Sequence, residues 1–209
     1  MRNHKSSLAF VLLFLTIVSV NVQAQMIMSK ASTLPTKPVG GNYASLQKWS
    51  NPTTWVGGKV PTSTNQAHIG ANSAVLLDMD VDVNEIHVEG ILVVDYSKDI
   101  KISTELLMAM NNGYFEWGVP NYRYTKNGLL VLKGNDLTKI NENIHDYKSL
   151  MAESGGEVAI HGLERKSWTM LNATVLANKN AIVLSEPVDW RVGDEILITS
   201  TEMETTLKG

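Results

Sequence analysis

The sequence contains no cysteine. That excludes disulfides, thiolate metal sites and cysteine nucleophiles, so packing and hydrogen bonding alone must hold the fold. In an exported protein of this size the absence fits a bacterial source better than an animal one. There is no positive excess either: 18 Lys and Arg face 21 Asp and Glu, for a formal net charge of −3. The basic stripe that nucleic-acid binding requires is therefore not expected. Nor is there an apolar run of the ~20 residues that a bilayer span needs. The longest, LAFVLLFLTIVSV at 8–20, is too short. The hydrolase motifs G-x-S-x-G and H-E-x-x-H and the phosphate-binding loop do not occur.

What is present begins with that apolar run. Arg2, His4 and Lys5 make a basic start, and Val22 and Ala24 sit at the −3 and −1 places of an A-x-A-like cleavage site. This layout predicts a secretory signal peptide over residues 1–24, a secreted or cell-surface location and no membrane span in the mature chain. Cleavage removes Arg2 and Lys5 and no acid, so the mature chain is the more acidic form. Residues 25–41 hold Pro35 and Pro38, end in Gly40-Gly41 and show no periodicity. They predict a flexible lead-in.

From Trp49 onward the pattern changes. Short apolar runs follow one another: AVLL, IHV, ILVV, IKI, LLMAM, YFEW, LLVL, VAI, ATVL, AIVL and EILIT. Glycine, asparagine or aspartate closes most of them. Many short strands with frequent turn residues predict an all-β sandwich, barrel or solenoid.

The stretch DMDVDVN at 78–84 admits two readings. Its polar residues Asp78, Asp80, Asp82 and Asn84 alternate with Met79, Val81 and Val83, which is the period of a strand with one wet face. Parity reverses at Asn84-Glu85, where Ile86 and Val88 become the apolar set, so a bulge or corner is expected there. The competing reading is a calcium loop. An EF-hand-type loop wants glycine at its sixth place, where this sequence has Val83. The strand reading is preferred. No cofactor is expected, and calcium held loosely by Asp78, Asp80 and Asp82 is the weaker possibility. Helical spacing occurs once, at Ile140, Ile144, Tyr147 and Met151.

Two stretches carry a family resemblance. In WSNPTTWVGGKVPTSTNQAHIGANSAVLLDMDVDVNEIHVEGILVVD, residues Trp49, Trp55, Gly57, Pro61, Ile69, Asp78, Gly90 and Leu92 fall in a recurrent order. GGEVAIHGLERKSWTML and VDWRVGDEILITST follow it. The sequence resembles the G-eight domain, a family that includes animal hyaluronan-binding and hyaluronan-degrading proteins and bacterial exported ones. The resemblance implies an all-β fold: a short-strand β-sandwich or β-roll leading into a right-handed parallel β-helix, with at most one short helix. It places the domain at 42–170 and the first strands of a following, incomplete β-helix at 171–209. It also places a strand over 147–153, which trims the helix to 137–145. Animal relatives that degrade hyaluronan carry an extra module where this chain has only NATVLANKNAIVLSEP. The family continues into many more coils, so a fragment is expected.

Candidate site residues follow. His161, in VAIHG, occupies the family's H-G position; it is a sugar contact or a strand-end histidine bonded to a turn. Trp55, Trp168 and Trp190 are candidates for stacking on sugar rings, and core packing is the alternative for each. Glycoside hydrolysis needs two carboxylates at a set separation. Asp78, Asp80, Asp82, Glu116, Asp189, Asp194 and Glu195 are available, but no pair stands out and no catalytic residue is assigned. Asp194 is expected to tie down a turn. The resulting expectation is an exported protein that binds an extracellular polysaccharide such as hyaluronan, with cleavage requiring chain beyond Gly209. The alternative is a non-catalytic cell-surface adhesion or structural module.

Overall fold

The structure, a computed structural model, describes residues 24–134 and 148–199. Most of the expected signal peptide and the whole helix expected at 137–145 lie outside the described residues.

The strands follow a fixed rotation. β1 (Gln25–Met28) and β2 (Gln47–Lys48) form the first turn. β3 (Asn65–Ile69), β4 (Ala74–Leu77) and β5 (Val81–Asp82) form the second. β6 (Glu85–Val88), β7 (Ile91–Val94) and β8 (Ile100–Thr104) form the third. β9 (Leu106–Ala109), β10 (Tyr114–Trp117) and β11 (Gly128–Leu132) form the fourth, and β12 (Ser149–Ala152) and β13 (Glu157–Ile160) the fifth. Successive turns add to the same sheets, giving the orders β1-β3-β6-β9-β12, β2-β4-β7-β10-β13 and β5-β8-β11. Every pairing within these sheets is parallel. The chain is thus all-β, wound as a parallel β-helix-like coil, with only a 3-10 turn at Pro52–Thr54 for helix among the described residues. The coil starts at β1, inside the stretch expected to be a flexible lead-in. Residues 163–199 add one isolated antiparallel bridge, between Leu171 and Leu184.

The two large sheets differ in how they meet solvent, and the sequence pattern follows. The first has a wet face along β3 and β6. In β3 and β6 the residues Ala67, Ile69, Ile86 and Val88 are buried, and the intervening Gln66, His68, Glu85 and His87 are half-buried. In-register pairing stacks Ala67 on Ile86 and Ile86 on Leu107 along the interior. The second sheet is buried on both faces, so β4, β7 and β10 read as unbroken runs, AVLL, ILVV and YFEW. One face meets the interior, where Val75, Leu92 and Phe115 lie in register. The other is covered by a strap running from residue 29 to 46.

Hydrogen bonds fasten the strap to three turns of the coil. Ser32 Oγ accepts the N–H of Ala74 at 2.9 Å. Tyr43 Oη accepts the N–H of Tyr96 at 2.8 Å. Glu116, fully buried, takes the N–H groups of Val39 and Gly40 at 2.8 Å each.

Glycines line the corner between the first and second sheets. A Cβ on Gly113 would stand 1.9 Å from Val88 O, and one on Gly90 would stand 2.2 Å from Ser73 O. Each corner therefore nests against the carbonyls of the turn before it, an approach that only glycine permits.

The stretch 78–84 is a strand only at Val81–Asp82. The parity expected at its start is reversed: Asp78 is buried and Met79 is 41% exposed. The cause is local. Asp78 turns inward to accept the N–H and hydroxyl of Ser50 at 2.9 and 2.8 Å. The expected corner at Asn84-Glu85 is present, since β5 ends in the third sheet and β6 starts in the first.

Candidate functional site

Of the four candidate sugar contacts, two come together. Trp168 and Trp190 line one cleft of about 470 Å³ with Arg165, Asp194 and Glu195. Trp168 is 68% exposed, unusual for so large an apolar side chain. Trp190 is half-buried and anchored, its indole Nε1 donating to Lys166 O.

Arg165 organises the floor of this cleft. Its Nε lies 2.9 Å from Asp189 Oδ2, and its terminal nitrogen lies 2.8 Å from Asp194 Oδ2 and 2.9 Å from Asp189 O. Asp194 also accepts the N–H of Arg191 at 2.7 Å, which closes the turn expected of it. Asp189 accepts the N–H of Lys166 at 2.8 Å. That hydrogen bond, followed by the charges of Arg165 and Arg191, holds the Asp189 carboxyl below the usual carboxylate range. The second cation is paired too: Lys166 Nζ stands 2.7 Å from Glu186.

Trp55 and His161 are placed elsewhere. Trp55 is fully buried, packed edge-to-face on Trp49 at 4.8 Å between ring centres, with its Nε1 donating to Trp49 O at 2.9 Å. It presents no ring face to a ligand. His161 directly follows β13 and is tied to the turn beside it. Its N–H donates to Trp117 O, its carbonyl accepts the N–H of Tyr124, and its Nδ1 lies 3.1 Å from Gly118 O.

The three aspartates of the stretch 78–84 diverge. Asp78 bonds Ser50, Asp80 accepts the N–H of Lys101 at 2.8 Å, and Asp82 pairs with Lys133. Among the described residues no group of three or more His, Asp or Glu side chains converges as a metal-ligand set. Glu116 faces the strap, remote from solvent. No described helix is long and apolar enough to cross a membrane.

The role of Arg165 had no separate signal in the sequence. Its place follows from Asp189 and Asp194, which close on a residue more than twenty positions earlier.

The stacked turns, their glycine corners and the parallel sheets make this a protein of the parallel β-helix-like class. The sequence profile of the G8 domain matches residues 54–172, more than half of the chain, and the chain belongs to that family. It is similar to protein rliB of Dictyostelium discoideum, with 27% identity covering 77% of this chain and 15% of that one. Communication mutant protein F of the same organism is 24% identical, over 76% of this chain and 15% of its own length. Human fibrocystin-L is 24% identical, over 77% of this chain and 4% of its own length. The chain therefore spans less than a fifth of these relatives. No solved structure matches it.

Proposed function

We propose that this chain is an exported G8 domain that binds extracellular polysaccharide without cleaving it, through the cleft between Trp168 and Trp190. The exposure of Trp168 beside the anchored Trp190 carries the reading. An indole face in water gains by covering the apolar face of a sugar ring, while polar groups at the rim meet its hydroxyls. The basic start, apolar run and Ala24 site at the N-terminus support export. Binding is favoured over hydrolysis because a glycosidase needs one carboxyl kept protonated as its acid. Asp189 is shifted the opposite way, and Asp189 and Asp194 are both committed to Arg165.

The test is retention of the protein on immobilised polysaccharides, hyaluronan among them, with an assay for new reducing ends. Binding that Trp168→Ala abolishes, without new reducing ends, supports the reading. New reducing ends would refute its non-catalytic part, and retention unchanged in Trp168→Ala would refute the cleft. A second reading rests on the exposed apolar side chains Met170, Leu176, Val183 and Leu197. They suit an adhesion or structural module that docks protein. That reading gains if no glycan binds.

A further inference from the structure

Resting on the glycan-binding reading, we infer that the Trp168–Trp190 cleft selects neutral glycan chains and rejects chains that carry uronate carboxylates. The charged groups lining the cleft are Arg165, Asp194 and Glu195, an excess of acid. The one cation among them is already engaged, with Asp189 on its Nε and Asp194 on its terminal nitrogen. A uronate carboxylate that approached Arg165 would meet the carboxylates of Asp189 and Asp194 beside it, together with Glu195. Like charges brought together at short range oppose binding, and the opposition weakens as salt screens them. Lys166 offers no alternative, because Glu186 holds it at 2.7 Å. Arg191 stands outside the cleft lining, and its field falls on Asp189. A neutral sugar meets none of this opposition. Its hydroxyls can donate to Asp194 and Glu195 while its ring stacks on Trp168.

Calorimetric titration of the mature chain compares two groups of probes of equal length. The neutral probes are the hexasaccharides of cellulose, laminarin, xylan and mannan; the acidic probe is a hyaluronan hexasaccharide. At least one neutral probe is expected to bind tenfold or more tighter than hyaluronan. Hyaluronan affinity is expected to rise when NaCl goes from 20 to 300 mM (about a fourfold change in Debye length). The double variant Asp189→Asn/Asp194→Asn removes both carboxylate charges beside Arg165 and is expected to narrow the gap through a gain for hyaluronan. Asparagine keeps the oxygen that accepts the N–H groups of Lys166 and Arg191. Tighter binding of hyaluronan by the unaltered chain, weakened by salt, overturns this inference and leaves glycan binding standing. Failure of every probe to bind overturns the glycan reading itself, and this inference with it.

Discussion

Tyr96 Oη donates to Glu116 Oε1 at 2.7 Å, and that carboxylate also receives the N–H groups of Val39 and Gly40. Three donors from two distant segments thus converge on one buried anion, and Tyr96 Oη in turn accepts the N–H of Gly118 at 2.9 Å. Glu116 is the clasp that closes the strap over the second sheet. Replacing it by glutamine puts an NH2 where an acceptor is needed, so one of the strap N–H groups loses its partner. A buried donor left unpaired costs about 1–3 kcal/mol. Glu116→Gln is expected to lower stability by that amount and to expose 30–46 to protease before the coil. Urea unfolding and timed proteolysis read both effects, and unchanged cleavage within the strap would count against the clasp.

The glycine corners make a sharper steric prediction. Gly113→Ala would set its methyl group 1.9 Å from Val88 O, a backbone atom that cannot swing aside. Overpacking of this kind costs about 1–3 kcal/mol and occasionally more. Gly162→Ala is the control, since nothing lies within 4 Å of its Cβ position. It should stay within about 0.5 kcal/mol of the parent. Equal melting temperatures for the two variants would mean that the turns do not nest as closely as described.

The pH dependence at the acid end is set by groups such as Glu89. Asn111 Nδ2 donates to its carboxylate at 2.8 Å, and His68 Nε2 lies 3.4 Å away. The Asn111 bond foremost, with His68 behind it, holds the Glu89 carboxyl below its ordinary 4.5. A lowered folded-state pKa means that the unfolded chain binds more protons in this range, so stability rises with pH there. The contribution is present above about pH 4.5 and is lost as pH falls through the folded value. Asp99, held down by the N–H of Asn127, acts in the same direction. Urea midpoints at pH 6, 4.5 and 3 should therefore decline. Asn111→Gly should make the decline shallower, and glycine accepts the φ of 51° at that position without strain. An identical decline in this variant would remove Glu89 from the account.

At the alkaline end the sign is opposite. Burial, above all, pushes the Tyr43 hydroxyl up to about 12, and burial raises Tyr96 and Tyr114 as well, with the Glu116 carboxylate adding to the effect. The folded chain keeps protons that the unfolded chain gives up. Stability is then full below about pH 10 and is lost as pH rises toward 12. Phenolate absorbance near 295 nm should appear for these tyrosines together with the loss of the β-sheet circular-dichroism signal. Their titration well before unfolding would contradict the packing around the strap.

How much of this could be read from residues alone follows from the range of the interactions. The strand runs were legible because burial acts on each side chain where it stands, and two-sided burial left AVLL, ILVV and YFEW unbroken. The corner at Asn84-Glu85 was legible from parity. The strap was not. Residues 25–41 carry no periodic pattern because β1 contributes one buried side chain, Ile27, and the stretch after it is held by bonds to Ala74 and Glu116 far along the chain. Asp78 was misplaced for the same reason, since its partner Ser50 lies outside the strand whose alternation it interrupts. In the cleft, tryptophan composition pointed to Trp168 and Trp190, but Arg165 owes its place to charge pairing across the chain.

Tryptophan separates scaffold from site, because the same residue type occupies opposite environments. Trp55 is fully buried, touches Trp49 edge-on and hydrogen-bonds its carbonyl. Truncating it leaves a void and an unpaired acceptor, and Phe or Trp to Ala in a core costs about 3–5 kcal/mol. Trp55→Ala is therefore expected to unfold the domain or lower its melting temperature by many degrees. Trp168 is 68% exposed, so Trp168→Ala removes little buried area and should change stability by no more than about 0.5 kcal/mol. Glycan retention should show the reverse order of sensitivity once Trp55 is replaced by phenylalanine, which keeps most of the volume and the fold. Trp55→Phe should bind like the parent and Trp168→Ala should not. Loss of binding in Trp55→Phe with intact sheet signal would relocate the site to the buried pair, and a large stability loss in Trp168→Ala would return that side chain to the core.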